Sequence, residues 1–303
     1  MTSRPCELHL ESYRLAQYVN HLPCYLCEGP NLYDAELCRH CFAPMALAHQ
    51  ANSQKIRPQM LAMLGSSGVG KTVYLGMLMD MLSRPGQALQ VMARGSFSIT
   101  LQQTTTAALG RCEFPDKTPN EPDRWNWIHG LATVQRHKKP TELIMPDMAG
   151  EAILQEVDHP NSYPAIRALT QKCGGMLLLV DAVKLRDGGH EQGHFALKVL
   201  TFLSELDADA RTGWPVRPIA IVFSKADQCE SCFDDPAEFA RRHAPAMWRC
   251  AEERFKQVHY FASGVAGACA YRMTLGGRHR IPLRIEPRGI IEPFGWVVER
   301  LKK

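Results

Sequence analysis

Gly65-Ser66-Ser67-Gly68-Val69-Gly70-Lys71-Thr72 decides the fold of this chain. The stretch fits G-x-x-x-x-G-K-[ST] and has the flanks that pattern needs. An apolar run, Met60 to Leu64, feeds it, and a helical pattern (Val73, Leu75, Met77, Leu78, Met81, Leu82) leaves it. Glycines let such a loop curl until successive N–H groups point inward around a phosphate, at the N-terminus of the following helix. Lys71 is then expected on the β- and γ-phosphate oxygens and the Thr72 hydroxyl on Mg²⁺. A Gly/Ser-rich βα turn without a ligand would leave those flanks unexplained. Residues Gly65 through Val73 therefore predict the phosphate cradle of a nucleoside triphosphate site.

Outward from that loop, apolar runs alternate with helical periodicity, which predicts βα units and an α/β fold with a mainly parallel sheet flanked by helices. Strands are expected over 57–64, 141–146, 175–181, 218–223 and 258–262, and helices over 71–82, 195–206, 236–242, 246–256 and 294–301. The Thr-, Pro- and Trp-rich stretch 95–140 shows no clear period and is left unassigned.

Three later segments read together. Asp147-Met148-Ala149-Gly150 follows the strand pattern ELIMP, Ser224-Lys225-Ala226-Asp227 follows PIAIVF, and Ala262-Ser263-Gly264 follows VHYF. They resemble, in order, the D-x-x-G, [NTS]-K-x-D and last base-contacting elements of Ras-like GTPases. Each stands at the carboxyl end of an expected strand, where α/β sheets bind ligands. The resemblance implies that Asp147 reaches Mg²⁺ through water and that the Gly150 N–H senses the γ-phosphate. It also implies that Asp227 accepts two hydrogen bonds from guanine, which adenine cannot supply. Ser224 and Lys225 would belong to the same base loop, and Ala262 and Ser263 would meet the guanine carbonyl by backbone.

Over residues 57 to 303 the chain resembles P-loop GTPases of the TRAFAC class, and within it bacterial GTPase domains, including the double-GTPase group, that follow a Cys-rich knuckle. GKTVYLGMLMDML, the Phe114–Pro119 element and IIEPFGWVVERL carry this finer likeness. It implies GTP and GDP as ligands and a role in signalling or conflict systems, with an effector or activating protein as partner. A switch threonine closing on Mg²⁺ is expected between the first helix and Asp147. Thr104, Thr105, Thr106 and Thr118 are candidates, and Thr118 is favoured because its loop is polar and Pro-flanked. Ras-like proteins carry Gln directly after D-x-x-G, where it orients the attacking water. Here Glu151 stands there, and a carboxylate adds negative charge where charge must be neutralised. Slow intrinsic hydrolysis is expected unless a partner assists, or unless Glu151 positions water by another geometry. The catalytic set is therefore read as Lys71, Thr118, Gly150 and Glu151. The rivals are a nucleotide-dependent scaffold with little hydrolysis and a P-loop ATPase in which Asp227 is incidental.

Eleven cysteines, an odd number with no export-signal pattern ahead of them, argue against a disulfide framework and for a reducing cytoplasm. Cys24-Tyr-Leu-Cys27 and Cys38-Arg-His-Cys41 are set apart by ten residues. Two C-x-x-C turns brought together complete a closed tetrahedral Cys₄ shell for structural Zn²⁺, with no open position for chemistry. Residues 1–50, opening on an amphipathic stretch (Leu8, Leu10, Tyr13, Leu15, Tyr18, Val19), are read as a zinc ribbon or knuckle module and 51–303 as the GTPase domain. His40 is an unneeded substitute ligand, and Cys229-Glu-Ser-Cys232 lacks a partner pair and reads as a loop.

With 45% hydrophobic and 22% charged residues, a disordered or low-complexity chain is excluded. The apolar runs are too short to span a bilayer, which takes about 20 residues. The net charge of +4 is too mild to argue for nucleic acid, and between Cys24 and Cys41 only Arg39 is a fixed positive charge. Eight Lys/Arg against three Glu from Arg272 onward read as a solvated face on a terminal strand and helix, with a docking surface as the minority reading. His190-Glu-Gln-Gly-His194 matches the zinc-protease pattern H-E-x-x-H, but Asp187-Gly-Gly before it and Gly193 within it disfavour a helix starting there, so the match is read as accidental. Trp125 and Trp127 read as core or effector surface, and Met77, Met79 and Met81 as a core face with one exposed position. Self-association is left open.

Overall fold

The longest apolar runs become the centre of a sheet, because a strand covered on both faces needs no polar alternation. The computed structural model describes residues 21–54, 58–134, 140–206, 215–274 and 277–301. The amphipathic opening stretch, Arg57 and the terminal lysines lie outside the described residues. The strands are β1 (His21–Pro23), β2 (Pro30–Leu32), β3 (Gln59–Gly65), β4 (Leu89–Ala93), β5 (Asn126–Val134), β6 (Thr141–Asp147), β7 (Gly175–Asp181), β8 (Ile219–Ser224), β9 (Val258–Ala262), β10 (Gly264–Thr274) and β11 (Gly277–Arg288). The helices are α1 (Met45–Gln54), α2 (Lys71–Leu82), α3 (Gly95–Gly110), α4 (Gly150–Asp158), α5 (Pro164–Lys172), α6 (Ala182–Arg186), α7 (His190–Leu206), α8 (Ser231–Asp234), α9 (Pro236–His243), α10 (Pro245–Arg254) and α11 (Ile291–Arg300).

Seven strands form one sheet in the order β4-β5-β6-β3-β7-β8-β9, and within it only β5 runs against its neighbours. Along β3 the side chains alternate between the two cores. Leu61 and Met63 pack with Leu75, Leu78, Leu101 and Phe294 on one face, while Ala62 and Leu64 pack with Ile153, Leu169 and Val199 on the other. The chain winds to either side of β3, so the loop after β3 sits at the topological switch point. There β3 and β6 pair over only Gln59–Leu143 and Met60–Ile144. Beyond that the two strands part toward their carboxyl ends, where Pro146 has no N–H to offer a neighbour. The gap is where the P-loop and Asp147 face each other.

Strands over 175–181 and 258–262 and the helix over 71–82 stand at the residues the sequence predicts, with the other expected elements shifted by a few residues. The unassigned stretch holds α3 and β5. Thr104 and Thr106 bond back to the carbonyls of Thr100 and Gln102 within α3, and Thr105 is buried against Gly76 of α2, which removes all three from the switch role. The basic terminal stretch is not a lone strand. With residues from Gly264 onward it forms a long antiparallel hairpin, β10–β11, broken by register shifts. A helix does start at His190, against the sequence expectation, because its Gln192, Phe195, Ala196 and Val199 face is buried and outweighs the local cost of Gly193. Cys232 lies in the one-turn helix α8, not in a loop.

The cysteine module shares the core of the α4–α5 face. Cys24, Leu26 and Cys38 belong to the same buried cluster as Trp127, Met148 and Leu169. Tyr25 meets Trp127 edge-on at 6.0 Å, Glu28 pairs with Lys172 at 2.8 Å, and α1 runs through residue 50. Trp125 and Trp127 are buried, as are Met77 and Met79, with Met81 half-buried.

Candidate functional site

The P-loop turns on Gly68 (φ 73°) and Gly70 (φ 98°), conformations that a side chain disfavours. Lys71, at the first position of α2, is buried and donates to the carbonyls of Gly65 and Ser66 at 2.8 and 3.1 Å. Burial lowers its pKa to about 8, a fall opposed by the nearby Asp147 and Glu151 carboxylates. Ser66 is held from outside the loop. Its hydroxyl donates to Gln192 Oε1 at 2.9 Å, and the same oxygen accepts from the Asp181 N–H at 3.4 Å. The middle of the H-E-Q-G-H stretch thus supports the loop, while its two imidazoles stack on each other with centroids 6.2 Å apart.

Three side chains converge beside Lys71. The Thr72 hydroxyl donates to Asp147 Oδ2 at 2.8 Å, the Thr118 hydroxyl donates to the same oxygen at 3.0 Å, and the two hydroxyls are 3.0 Å apart. Asp147 is fully buried, and its Oδ1 has no hydrogen-bond partner among the described residues. Burial raises its pKa, opposed by the Thr72 hydroxyl and the Lys71 charge. Two hydroxyls and an unpartnered carboxylate oxygen form a hard, oxygen-only donor set that fits Mg²⁺. Thr118 is anchored by its neighbour, since Trp125 Nε1 donates to the Pro119 carbonyl at 2.9 Å.

Gly150 begins α4 against the P-loop. A Cβ there would lie 2.3 Å from Ser66 C and Ser67 N, so no other residue fits this approach. Glu151 follows with its side chain 56% exposed and 4.0 Å from Lys117 Nζ. A hydrogen bond from Ser67 is the main cause of its lowered pKa.

At the other end of the same cleft, of about 330 Å³, stands Asp227. Lys225 turns the chain with φ 59° and reaches back to the Gly68 carbonyl at 2.8 Å and Asp181 Oδ2 at 2.5 Å. Ser224 donates to the Val69 carbonyl at 2.8 Å, tying the Ser224–Asp227 turn to the P-loop. Ser263 is buried, its N–H bonded to the Phe223 carbonyl and its carbonyl to the Ala226 N–H; Ala262, also buried, ends β9. Among the residues that line the cleft without having been read as site residues are Phe114, from the Phe114–Pro119 element, and, from the hairpin, Arg280.

Away from the cleft, the sulfurs of Cys24, Cys27, Cys38 and Cys41 lie within 4.8 Å of one another, the only such metal-capable group among the described residues. Backbone N–H groups of Leu26 and His40 point at Cys24 and Cys38 Sγ, both at 3.4 Å. His40 lies over Gly29, outside the group. The Cys24 pKa falls to about 5, chiefly through the Cys41 thiol, while burial lifts Cys27 to about 11. Four sulfurs so close cannot all ionise without a cation among them, and the set is compatible with Zn²⁺. No helix among the described residues is long and apolar enough to cross a membrane.

The fold and the P-loop define a P-loop GTPase. The family model for Double-GTPase 2 matches residues 59–269, most of the chain, and the chain belongs to that family. Among solved structures it is similar to a crystal structure assigned to nucleolar GTP-binding protein 1 from Plasmodium falciparum, with 15% identity, a TM-score of 0.40, and coverage of 80% of this chain and 86% of that one. A search of curated proteins returns no match.

Proposed function

We propose that the chain is a cytoplasmic, bacterial-type switch that binds GTP and hydrolyses it slowly, regulating a partner protein in a signalling or defence system. The observation that carries this reading is the meeting of Thr72, Thr118 and Asp147 at the phosphate end of the cleft, because it brings a loop residue remote in sequence onto the nucleotide's expected cation. Lys71 would hold the β- and γ-phosphates, and Asp227 the guanine edge. Mg²⁺, held by Thr72, Thr118 and, through water, Asp147, would neutralise phosphate charge. Water adds to the γ-phosphorus, the bond to the β–γ bridging oxygen breaks, and GDP and phosphate leave. With the γ-phosphate gone, the loops of Thr118 and Gly150 lose their anchor and the surface offered to a partner changes.

Glu151 favours slow turnover, since its exposed carboxylate carries charge of the wrong sign toward the γ-phosphate. The same observation favours the second reading, a GTP-dependent scaffold that scarcely hydrolyses. Equilibrium titration of GTP, GDP and ATP analogues tests the base assignment. Guanine nucleotides should bind at least about tenfold more tightly, the effect of one hydrogen bond to a charged group, and equal binding overturns it. Single-turnover hydrolysis then separates switch from scaffold.

A further inference from the structure

The hairpin β10–β11 leaves the sheet directly after the base loop and returns at Arg288. The family match ends at Cys269, inside its first strand. Two of its arginines are engaged on the protein's own surface: Arg288 lies over the Phe233 ring at 4.0 Å and pairs with Glu230 at 2.9 Å, and Arg284 pairs with Glu286. Arg280 differs. Its side chain is 24% exposed and lines the cleft. One terminal nitrogen lies 3.9 Å from Asp227 Oδ2 and donates to Cys269 Sγ at 3.1 Å, and the guanidinium carbon stands 5.9 Å from the centroid of the Phe114 ring.

We propose that Arg280 is a specificity-determining residue of the nucleotide site, laying its guanidinium against a guanine base held by Asp227 and enclosing that base together with Phe114. The proposal rests on the guanine reading of Asp227. A base whose N1–H and 2-amino group reach this carboxylate comes beside a cation 3.9 Å from its Oδ2, and a guanidinium is attracted to an aromatic face. The contact has a second effect. To accept two N–H bonds, Asp227 must be ionised, yet its side chain is only 8% exposed and burial raises its pKa. The cations facing it are Arg280, from the hairpin, and Lys225, from its own turn, and both lower that pKa. Arg280 thus both touches the base and keeps its acceptor charged.

Calorimetric titration of the full chain with GDP, IDP and ADP is the test, on wild type, Arg280→Ala, Arg280→Lys, Arg280→Gln and Asp227→Asn. Arg280→Ala should weaken GDP and IDP by about tenfold, through the lost cation–aromatic contact and a less ionised Asp227, and weaken ADP by less, since adenine makes no use of the carboxylate. Arg280→Lys should recover part of the loss. Without the Arg280 charge Asp227 keeps its proton to higher pH, so the defect of Arg280→Gln should be larger at pH 5.5 than at pH 8. Arg284→Gln, on the same strand, should match wild type and so exclude a general loss of the hairpin. If Arg280→Ala binds GDP within twofold of wild type, or weakens GDP and ADP equally, the proposal is overturned while the Asp227 reading stands. A wild-type protein that does not distinguish GDP from ADP overturns both.

Discussion

The two ends of the cleft are built on different principles. At the proposed phosphate end the loop that would cradle phosphate is contiguous, its backbone running from Gly65 to Thr72, curled by two glycines with positive φ and fixed by the first turn of α2, and only the oxygens proposed for the cation, on Thr118 and Asp147, come from elsewhere. At the proposed base end the lining groups come from the turn after β8, the end of β9, the loop at Phe114 and the hairpin, and they meet only once the sheet has formed. A ligand that is all charge and no shape can be read by a short segment. Discrimination between two purines takes side chains placed on several sides of a ring, and those come from elements far apart in the chain.

Replacing Lys71 by Met should have the largest effect and should not depend on the base. GDP and ADP are each expected to lose about 3–4 kcal/mol of affinity, the range for deleting one partner of a buried charge pair, measured by equilibrium titration. Asp227→Asn should break the other end alone, weakening GDP by about 2–3 kcal/mol through its charge-assisted bonds and leaving ADP in place. Guanine preference that survives this substitution would count against the assignment. Smaller is the pH effect at the phosphate end. Phosphates favour the Lys71 ammonium, whose pKa in the ligand-free protein is about 8, so affinity is retained below that pH and falls as pH rises through it. GDP should bind about tenfold more weakly at pH 9 than at pH 7. The smallest change belongs to Glu151→Gln. Removing the carboxylate charge should raise the single-turnover GTP hydrolysis rate by no more than about threefold, less than 1 kcal/mol of barrier, and a large fall would show that the carboxylate positions water.

The same division governs what could be read before folding. The strand over 175–181 and the helix over 71–82 are legible because burial on both sides of a sheet, or nearly all around a helix, leaves nearly continuous apolar runs, while the half-exposed edge strand over 258–262 shows itself by its Val, Tyr and Phe. The P-loop is legible because its chemistry is local. Thr118 could be favoured over Thr104–Thr106 from loop character alone, because three consecutive threonines fit a helix interior turned partly to solvent. In contrast, α3 and β5 carry polar and β-branched residues that find their places only against α2 and β6. The hairpin hid behind its bulges, prolines and arginines, which read as a solvated face. No spacing in the sequence reveals that Arg280, fifty-odd residues after Asp227, comes back to it. The single available signal was its position beyond the last base-contacting loop. Gln192 is masked by the two histidines around it, because the stretch is weighed only for the H-E-x-x-H pattern and set aside as accidental.

The shared core of the cysteine module has a consequence for the order in which the protein is made. Synthesis delivers Cys24 through Cys41 first, while Trp127 and Leu169, against which this module packs, are still to come. A nascent chain therefore carries an apolar face with nowhere to put it until β5 and α5 have emerged. Closure of the four sulfurs on a metal would need no later segment, and would give that waiting piece a fixed shape before its partner exists. Metal supply during translation, more than metal supply to the finished protein, would then set the yield of correctly assembled chains.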